Sequence, residues 1–145
     1  MAKILLNKSN LFYNLDLCST QAGGKDKVAI VLKDNAYGHG LEEISNLASE
    51  FGIKKAVVQD VFEANQVKDF FDEILILQAS KNTIYSNKFH VTINNLSEIE
   101  QIPQNSNVHL KIDTGMHRNG ISLNDIKIAI SNIYNQDLNL TGVFT

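Results

Sequence analysis

The chain has 145 residues, of which 43% are hydrophobic and 20% charged, so it is long enough for one domain with its own core and too apolar for a disordered chain. Its net charge of −3 gives no basic surface for a nucleic-acid partner. The single cysteine, Cys18, excludes an intramolecular disulfide and favours a reducing compartment. No apolar run has the length of a membrane span or the form of a signal peptide, so we predict a cytoplasmic protein without a membrane partner.

Strand and helix patterns alternate along the whole chain, without a visible repeat of residues. Predicted strands cover residues 3–7, 27–33, 55–59, 73–79, 89–94, 108–112 and 138–145. Predicted helices cover residues 10–20, 41–51, 61–71, 97–102 and 122–134, with Ser9 as a cap of the first, Gly52 as the stop of the second and Pro103 as the stop of the fourth. This alternation is typical of parallel β/α units, and the pattern contains five complete units and the start of a sixth. It fits either an open doubly wound sheet, which the length slightly favours, or part of an eight-unit barrel.

The first stretch with chemical content follows a continuous apolar run at residues 29–32, which predicts a strand buried on both faces. Lys33 ends that strand, although lysine is rarely buried without a partner. Gly38 and Gly40 then lead into the next helical pattern. A lysine at the carboxyl end of a parallel strand, beside a helix amino terminus, suits a site for an anion. The alternative is a solvated lysine followed by ordinary turn glycines.

The second such stretch covers residues 110–120, where Lys111 lies in another predicted strand and Arg118 lies in the loop after it. Arg118 is the only arginine, and its planar fork suits a carboxylate or an aromatic oxygen. We expect Lys33 and Lys111 to reach one rim of the sheet, which is costly unless an anion such as phosphate lies between them or one amine is modified. The alternative for Arg118 is a surface residue in a turn.

The four histidines give no metal pattern. His39, His90, His109 and His117 match no zinc spacing, and there is no second cysteine, so we predict no metal site. We expect His117, next to Arg118, to lie at the mouth of a pocket.

Both stretches resemble motifs of the alanine racemases. Residues 33–40, Lys-Asp-Asn-Ala-Tyr-Gly-His-Gly, are similar to the family's cofactor-lysine signature, except that Asp34 stands where the family more often has a small residue. Residues 110–120 resemble a second family motif, and residues 7–14 and 63–64 are similar more loosely. The resemblance covers essentially the whole chain but less than half of a typical member. It implies a partial (β/α)8, TIM-type barrel of five to six parallel β/α units, truncated, with residues 1–145 as the amino-terminal portion of the barrel domain that binds pyridoxal 5′-phosphate (PLP) and the carboxyl-terminal β domain absent.

The resemblance also implies roles for four residues. Lys33 would form a Schiff base with PLP and serve as one of two catalytic bases. Tyr37 would hydrogen-bond the cofactor phosphate. Arg118 would contact the phenolic oxygen of the cofactor and hold the substrate carboxylate, and Lys111 would match a lysine that is carbamylated in many members. The implied activity is the interconversion of L- and D-alanine for cell-wall peptidoglycan, by a protein that is a homodimer at full length.

Activity of these 145 residues alone is not expected from the resemblance, because the family's second base is a tyrosine from the carboxyl-terminal β domain of a partner subunit. Two other hypotheses stay open. One is a protein that holds PLP without turnover, like the small single-barrel PLP-homeostasis proteins, although those carry a different lysine motif. The other is a truncated half-barrel without activity that associates through its open strand edge.

Overall fold

A computed structural model describes residues 4–78 and 86–145, which form two compact units, Met1–Ile74 and Leu75–Thr145. The strands are β1 Ala29–Val31, β2 Lys55–Val58, β3 Glu73–Ile76, β4 Phe89–Ile93, β5 Asn107–Lys111 and β6 Asn139–Phe144. The helices are α1 Lys8–Ala22, α2 Lys33–Tyr37, α3 Leu41–Phe51, α4 Val61–Val67 and α5 Ile126–Asn135, and shorter 3-10 helices cover Lys25–Lys27, Leu96–Gln101 and Leu123–Asp125. Strand order follows chain order, β1-β2-β3 and then β4-β5-β6. The predicted alternation of strands and helices is therefore confirmed.

In the first unit, β1 and β2 are parallel, with Ala29 opposite Lys55. The core of this unit is made of fully buried side chains at Ile53, Ala56, Val58, Ala64, Val67, Phe71 and Ile74. The first helix begins earlier than predicted, because Asn7, and not Ser9, accepts the backbone N–H of Asn10 at 3.0 Å. The strand predicted at residues 3–7 is wrong for residues 4–7, which have no regular structure, and Lys3 lies outside the described residues.

The first strand is shorter and more exposed than its composition predicts. It covers three residues, and Val31 is 43% exposed, whereas Leu32, just after it, is 1% exposed. Within the described residues β1 pairs only with β2, so its outer side has no strand to bury it. The chain then leaves the extended conformation at Leu32, whose ψ is 5°. The prediction of a strand buried on both faces is therefore wrong here.

In the second unit, β4, β5 and β6 are parallel and cover a core of aliphatic side chains. The pairing of β5 with β6 contains a bulge, because Val108 pairs with Leu140 and His109 with Gly142, leaving Thr141 as the extra residue. The Thr141 hydroxyl donates to the Val108 carbonyl at 3.2 Å. The bulge thus keeps a strand carbonyl bonded where the regular ladder is interrupted.

The helix end that a glycine marks lies where the sequence predicts it, whereas other helix ends differ from the predicted ones. The bounds of α3 and its stop at Gly52 are as predicted, since Gly52 has φ of 106° and donates to Ala48 and Ser49. In contrast, α4 ends at Val67, the helix before Pro103 is 3-10, and the helix predicted at 122–134 divides into a 3-10 turn and α5. Ala79, at the end of a predicted strand, lies outside the described residues. Among the residues the structure describes, no helix has both the length and the apolar character needed to cross a bilayer.

Candidate functional site

Lys33 follows β1 at its carboxyl end and is half-buried. Its ammonium nitrogen lies 5.9 Å from the centre of the Tyr37 ring, and Tyr37 itself is 61% exposed. Within residues 4–78 and 86–145, this ammonium has no hydrogen bond or ion pair. Lys33 is thus an amine with a partly shielded environment and no carboxylate to hold its proton.

The segment after Lys33 has an uncommon backbone. Asp34, Asn35, Ala36 and Tyr37 all have φ between 52° and 56°, so α2 turns in the left-handed sense before Gly38 continues it at φ of 83°. For L-residues other than glycine this conformation costs roughly 1–2 kcal/mol per residue. Such a run persists only where the surrounding structure holds it, and it concentrates at functional sites.

Three sets of contacts hold this turn. The Asn35 backbone N–H donates to Glu63 Oε1 at 2.9 Å, and Asn35 Oδ1 accepts the N–H of Leu41, the first residue of α3, at 2.8 Å. Ala36 is 4% exposed and donates its N–H to the Leu32 carbonyl at 2.7 Å. The turn that carries Lys33 is therefore tied to Leu32 just after β1, to the first residue of α3 and to Glu63 in the first turn of α4.

Glu63, in the first turn of α4, uses its second carboxylate oxygen to bind the loop that precedes this helix. Glu63 Oε2 accepts the backbone N–H of Gln59, just after β2, at 2.8 Å. The Glu63 N–H donates to Asp60 Oδ1 at 3.0 Å, and Asp60 caps α4. One carboxylate therefore receives N–H groups from the loops after β1 and after β2.

In the second unit, Arg118 lies in the loop after β5, and Asp113 organises that loop. The Asp113 carboxylate accepts the N–H of Gly115 at 2.9 Å and that of His117 at 3.0 Å, and it lies 3.2 Å from His117 Nδ1. These backbone hydrogen bonds, first that from Gly115, lower the pKa of Asp113 below its ordinary value of 3.8. Asp113 is thus a carboxylate at neutral pH, engaged by its own loop.

The loop closes on itself at Ile121. Its N–H donates to the Lys111 carbonyl at 2.8 Å, and its carbonyl accepts the Asp113 N–H at 2.9 Å. Gly120 has φ of 124°, and a Cβ there would lie 2.7 Å from the Asp113 nitrogen, so this position needs glycine. The Gly120 N–H also donates to the Asn94 carbonyl at 3.1 Å. Arg118 is therefore presented by a closed loop rather than by a free turn.

A cavity of about 590 Å³ lies at this loop, lined by Gln78, Asn94, Asn95, Glu98, Asp113, His117, Arg118, Asn119 and Gly120. His117 is in the lining, as expected. Arg118 is exposed and makes no hydrogen bond or ion pair within the described part of the chain. Lys111 ends β5, with its ammonium nitrogen 5.7 Å from the centre of the Phe144 ring, an arrangement like that of Lys33 and Tyr37.

The structure brings Lys33 next to Tyr37 and places Arg118 in a cavity with Asp113 and His117. Lys33 belongs to the first unit and Lys111 to the second, so their convergence at one rim stays a prediction.

The supporting contacts of two glutamates were not predicted from the sequence. Glu98 Oε2 accepts the N–H of Asn94, four residues earlier, at 2.7 Å, just as Glu63 accepts that of Gln59. Both glutamates stand in a similar local pattern: residues 59–63 and 94–98 each begin with an amide side chain, continue with Asp or Asn, and have a glutamate at the fifth position. An Asp or Asn three residues before a Glu is the pattern of a helix capping box, which is the signal that could have identified both.

Comparisons with known proteins agree with this geometry. Residues 6–145 match the family model described as "Alanine racemase, N-terminal domain". The chain is 48% identical over all 145 residues to a protein named alanine racemase from a Nitratiruptor species, of which it covers 43%. The chain thus spans less than half the length of that relative.

Solved structures show the same fold. The crystal structure of alanine racemase from Oenococcus oeni matches with a TM-score of 0.79 and 31% identity, over 95% of this chain and 42% of that one. That of alanine racemase from Corynebacterium glutamicum matches with a TM-score of 0.81 and 22% identity, over 95% and 44%. These matches confirm the partial TIM-type barrel and exclude the open doubly wound sheet. By sequence and by fold, the chain belongs to the alanine racemase family and corresponds to its amino-terminal domain.

Proposed function

We propose that residues 1–145 form the amino-terminal portion of the PLP-binding barrel domain of an alanine racemase, and that Lys33 carries the cofactor. The observation that carries this proposal is the Lys33 amine, half-buried at the end of β1 and without a carboxylate partner in the described residues. An amine must be neutral to attack an aldehyde, and a neighbouring carboxylate would instead stabilise its charged form. The residues present therefore fit PLP.

Bound PLP supplies an electron sink for the negative charge that develops at the substrate Cα. On this proposal Lys33 removes the Cα proton on one face or returns it there. The Tyr37 hydroxyl would donate to the cofactor phosphate, and its ring is exposed and lies 5.9 Å from the Lys33 ammonium. The held turn keeps both groups in a defined position relative to each other.

Arg118 is proposed to hold the substrate carboxylate and to contact the phenolic oxygen of the cofactor. Its guanidinium can form two parallel hydrogen bonds to a carboxylate. Asp113, which lines the same cavity, accepts two N–H groups of its own loop and pairs with His117. The guanidinium is therefore available to an incoming carboxylate.

Lys111 is proposed as a carbamylated lysine. Its amine has no carboxylate partner within residues 4–78 and 86–145, and only a neutral amine takes up carbon dioxide. The product is an anion with which an arginine such as Arg118 can pair.

For the whole protein we propose a cytoplasmic homodimer that interconverts L- and D-alanine for peptidoglycan. The 145 residues alone are not expected to racemise alanine, because the resemblance assigns the second base to a carboxyl-terminal β domain of the partner subunit.

The proposal is tested by adding PLP to the 145-residue chain and following the visible absorbance of covalent attachment. Reduction with borohydride and peptide mapping then identify the modified lysine. We expect a saturable band and a label on Lys33, both lost in Lys33→Ala and retained in Lys127→Ala, which removes an exposed lysine of α5. No band in the unmodified chain, or a band that survives Lys33→Ala, contradicts the proposal. Racemisation by these 145 residues at the rate of a full-length racemase would contradict the expected inactivity.

A further inference from the structure

We propose that Glu63 is a positioning residue for Lys33, acting through the left-handed turn of α2. This inference rests on the proposed function of Lys33. No contact of Glu63 with the lysine is implied. Its two carboxylate oxygens bind the N–H of Asn35, two residues after Lys33, and the N–H of Gln59, just after β2.

The bond to Asn35 is the part that bears on the site. Asn35 is 28 residues away from Glu63 in sequence, and it is the second of four consecutive non-glycine residues with positive φ. A backbone of this kind has a lower-energy right-handed alternative, so it needs contacts that the alternative cannot make. A fixed anionic acceptor for the Asn35 N–H is such a contact.

The bond to Gln59 gives the acceptor its fixed position. Gln59 directly follows β2, and β2 pairs with β1 in parallel register. The carboxylate thus bridges two neighbouring strand ends, and Lys33 stands at one of them. If the carboxylate is removed, we expect the turn to relax and the lysine to lose its defined direction.

A role limited to capping α4 does not account for the Asn35 bond. Asp60 already caps that helix, by accepting the N–H of Glu63. This gives a matched control, since Asp60→Ala removes the cap of α4 and leaves the acceptor of Asn35 in place.

The experiment compares Glu63→Ala, Glu63→Gln and Asp60→Ala with the unmodified chain. One readout is hydrogen exchange of the Asn35 backbone N–H. The other is the rate at which PLP modifies Lys33, compared at equal concentrations of folded protein. In Glu63→Ala we expect Asn35 to exchange at least roughly ten-fold faster and Lys33 to react several-fold more slowly, because a bond to a charged acceptor is lost. Glu63→Gln keeps one acceptor oxygen and should give intermediate values, whereas Asp60→Ala should lower stability without changing either readout.

The proposal is overturned if Glu63→Ala leaves either the Asn35 exchange or the reaction rate of Lys33 unchanged, or if Asp60→Ala slows the reaction of Lys33 as much as Glu63→Ala. Failure of the proposed function has a different signature, namely no reaction at Lys33 in the unmodified chain. In that case the exchange data still decide whether Glu63 holds the turn. Glu63→Gln serves as the folded variant if Glu63→Ala does not fold.

Discussion

At the scale of single residues, the turn of α2 holds four consecutive residues other than glycine at positive φ. Asp and Asn occur in the left-handed region more often than other residues, because their short side chains bond locally, but Ala and Tyr have no such preference. Asn35 uses its side chain to bond the N–H of Leu41. Ala36 is held by burial instead. The conformation is therefore imposed by tertiary contacts on residues that do not favour it.

A first prediction concerns Asp34, which has φ of 55° and an exposed side chain without a hydrogen bond in the described residues. We expect Asp34→Gly to raise the free energy of unfolding by up to about 1 kcal/mol, because relief of roughly 1–2 kcal/mol of strain exceeds the added entropy of the unfolded chain. The control is Asp16→Gly in the middle of α1, which should lower the free energy of unfolding by a few tenths of a kcal/mol or more. Urea denaturation measures both, and a loss of stability in Asp34→Gly would show that the turn is not strained.

The sequence predicted which residues belong to the candidate site better than it predicted the burial and contacts of those residues. Lys111 ends β5, as predicted, whereas β1 already ends at Val31 and Lys33 is the first residue of α2 rather than the last of the strand. The burial of β1 was mispredicted because burial depends on what packs against the strand, which its apolar composition does not show. The contact of Glu63 with Asn35 was not predicted because the two residues are far apart in the sequence, and spacing along the chain carries no information on such a contact.

At the scale of elements, the second unit shows how one strand accommodates a side chain of its neighbour. A Cβ on Gly142 would lie 2.5 Å from Cε1 of His109, so the ring occupies the space above the glycine. The His109 ring also packs edge to face against His90, at 5.2 Å between centres. His90 Nδ1 in turn lies 2.7 Å from the Thr141 hydroxyl of the bulge. The bulge and the glycine in β6 thus form one arrangement with the two histidines.

The second prediction follows from this contact. We expect Gly142→Ala to lower the free energy of unfolding by about 1–3 kcal/mol, because the new methyl group overlaps the His109 ring and forces it or the strand to move. Most of that loss should disappear when Gly142→Ala is made in a His109→Ala background. A double-mutant cycle from urea denaturation measures the coupling between the two positions. Additive changes in the free energy of unfolding would show that the loss does not come from the contact with His109.

Element boundaries were predictable where one residue decides them. Gly52 stops α3 because a left-handed C-terminal residue is inexpensive only for glycine, and that signal is local. The end of α4 has no such signal. The apolar pattern continues to Phe71, but α4 ends at Val67. Phe71 is buried although it lies beyond the helix, so an apolar residue at helical spacing belongs here to the segment that follows. Periodicity thus identifies which side chains face the core more reliably than it identifies the helix that carries them.

At the scale of the whole molecule, the alternation of strands and helices predicted the α/β class of fold. It did not predict whether the sheet belongs to a closed barrel or stays open. Both an open sheet and a barrel contain parallel β/α units, and the choice between them came from the family motifs and then from the matching structures. Within the described residues β6 pairs only with β5, and its exposed residues include Val143, which is 57% exposed.

The third prediction is that the 145-residue chain self-associates through this edge. The unpaired side of β6 presents backbone N–H and C=O groups beside an apolar side chain, which is a template for pairing with another strand. We expect the average mass from light scattering to rise with concentration, and Val143→Lys to reduce that rise because a charge on an edge strand opposes pairing. Val143→Thr is the control, since it keeps a β-branched side chain of similar size without a charge and should associate nearly as the unmodified chain does. A monomer at all concentrations, or equal association in Val143→Lys and Val143→Thr, would show that another surface governs assembly.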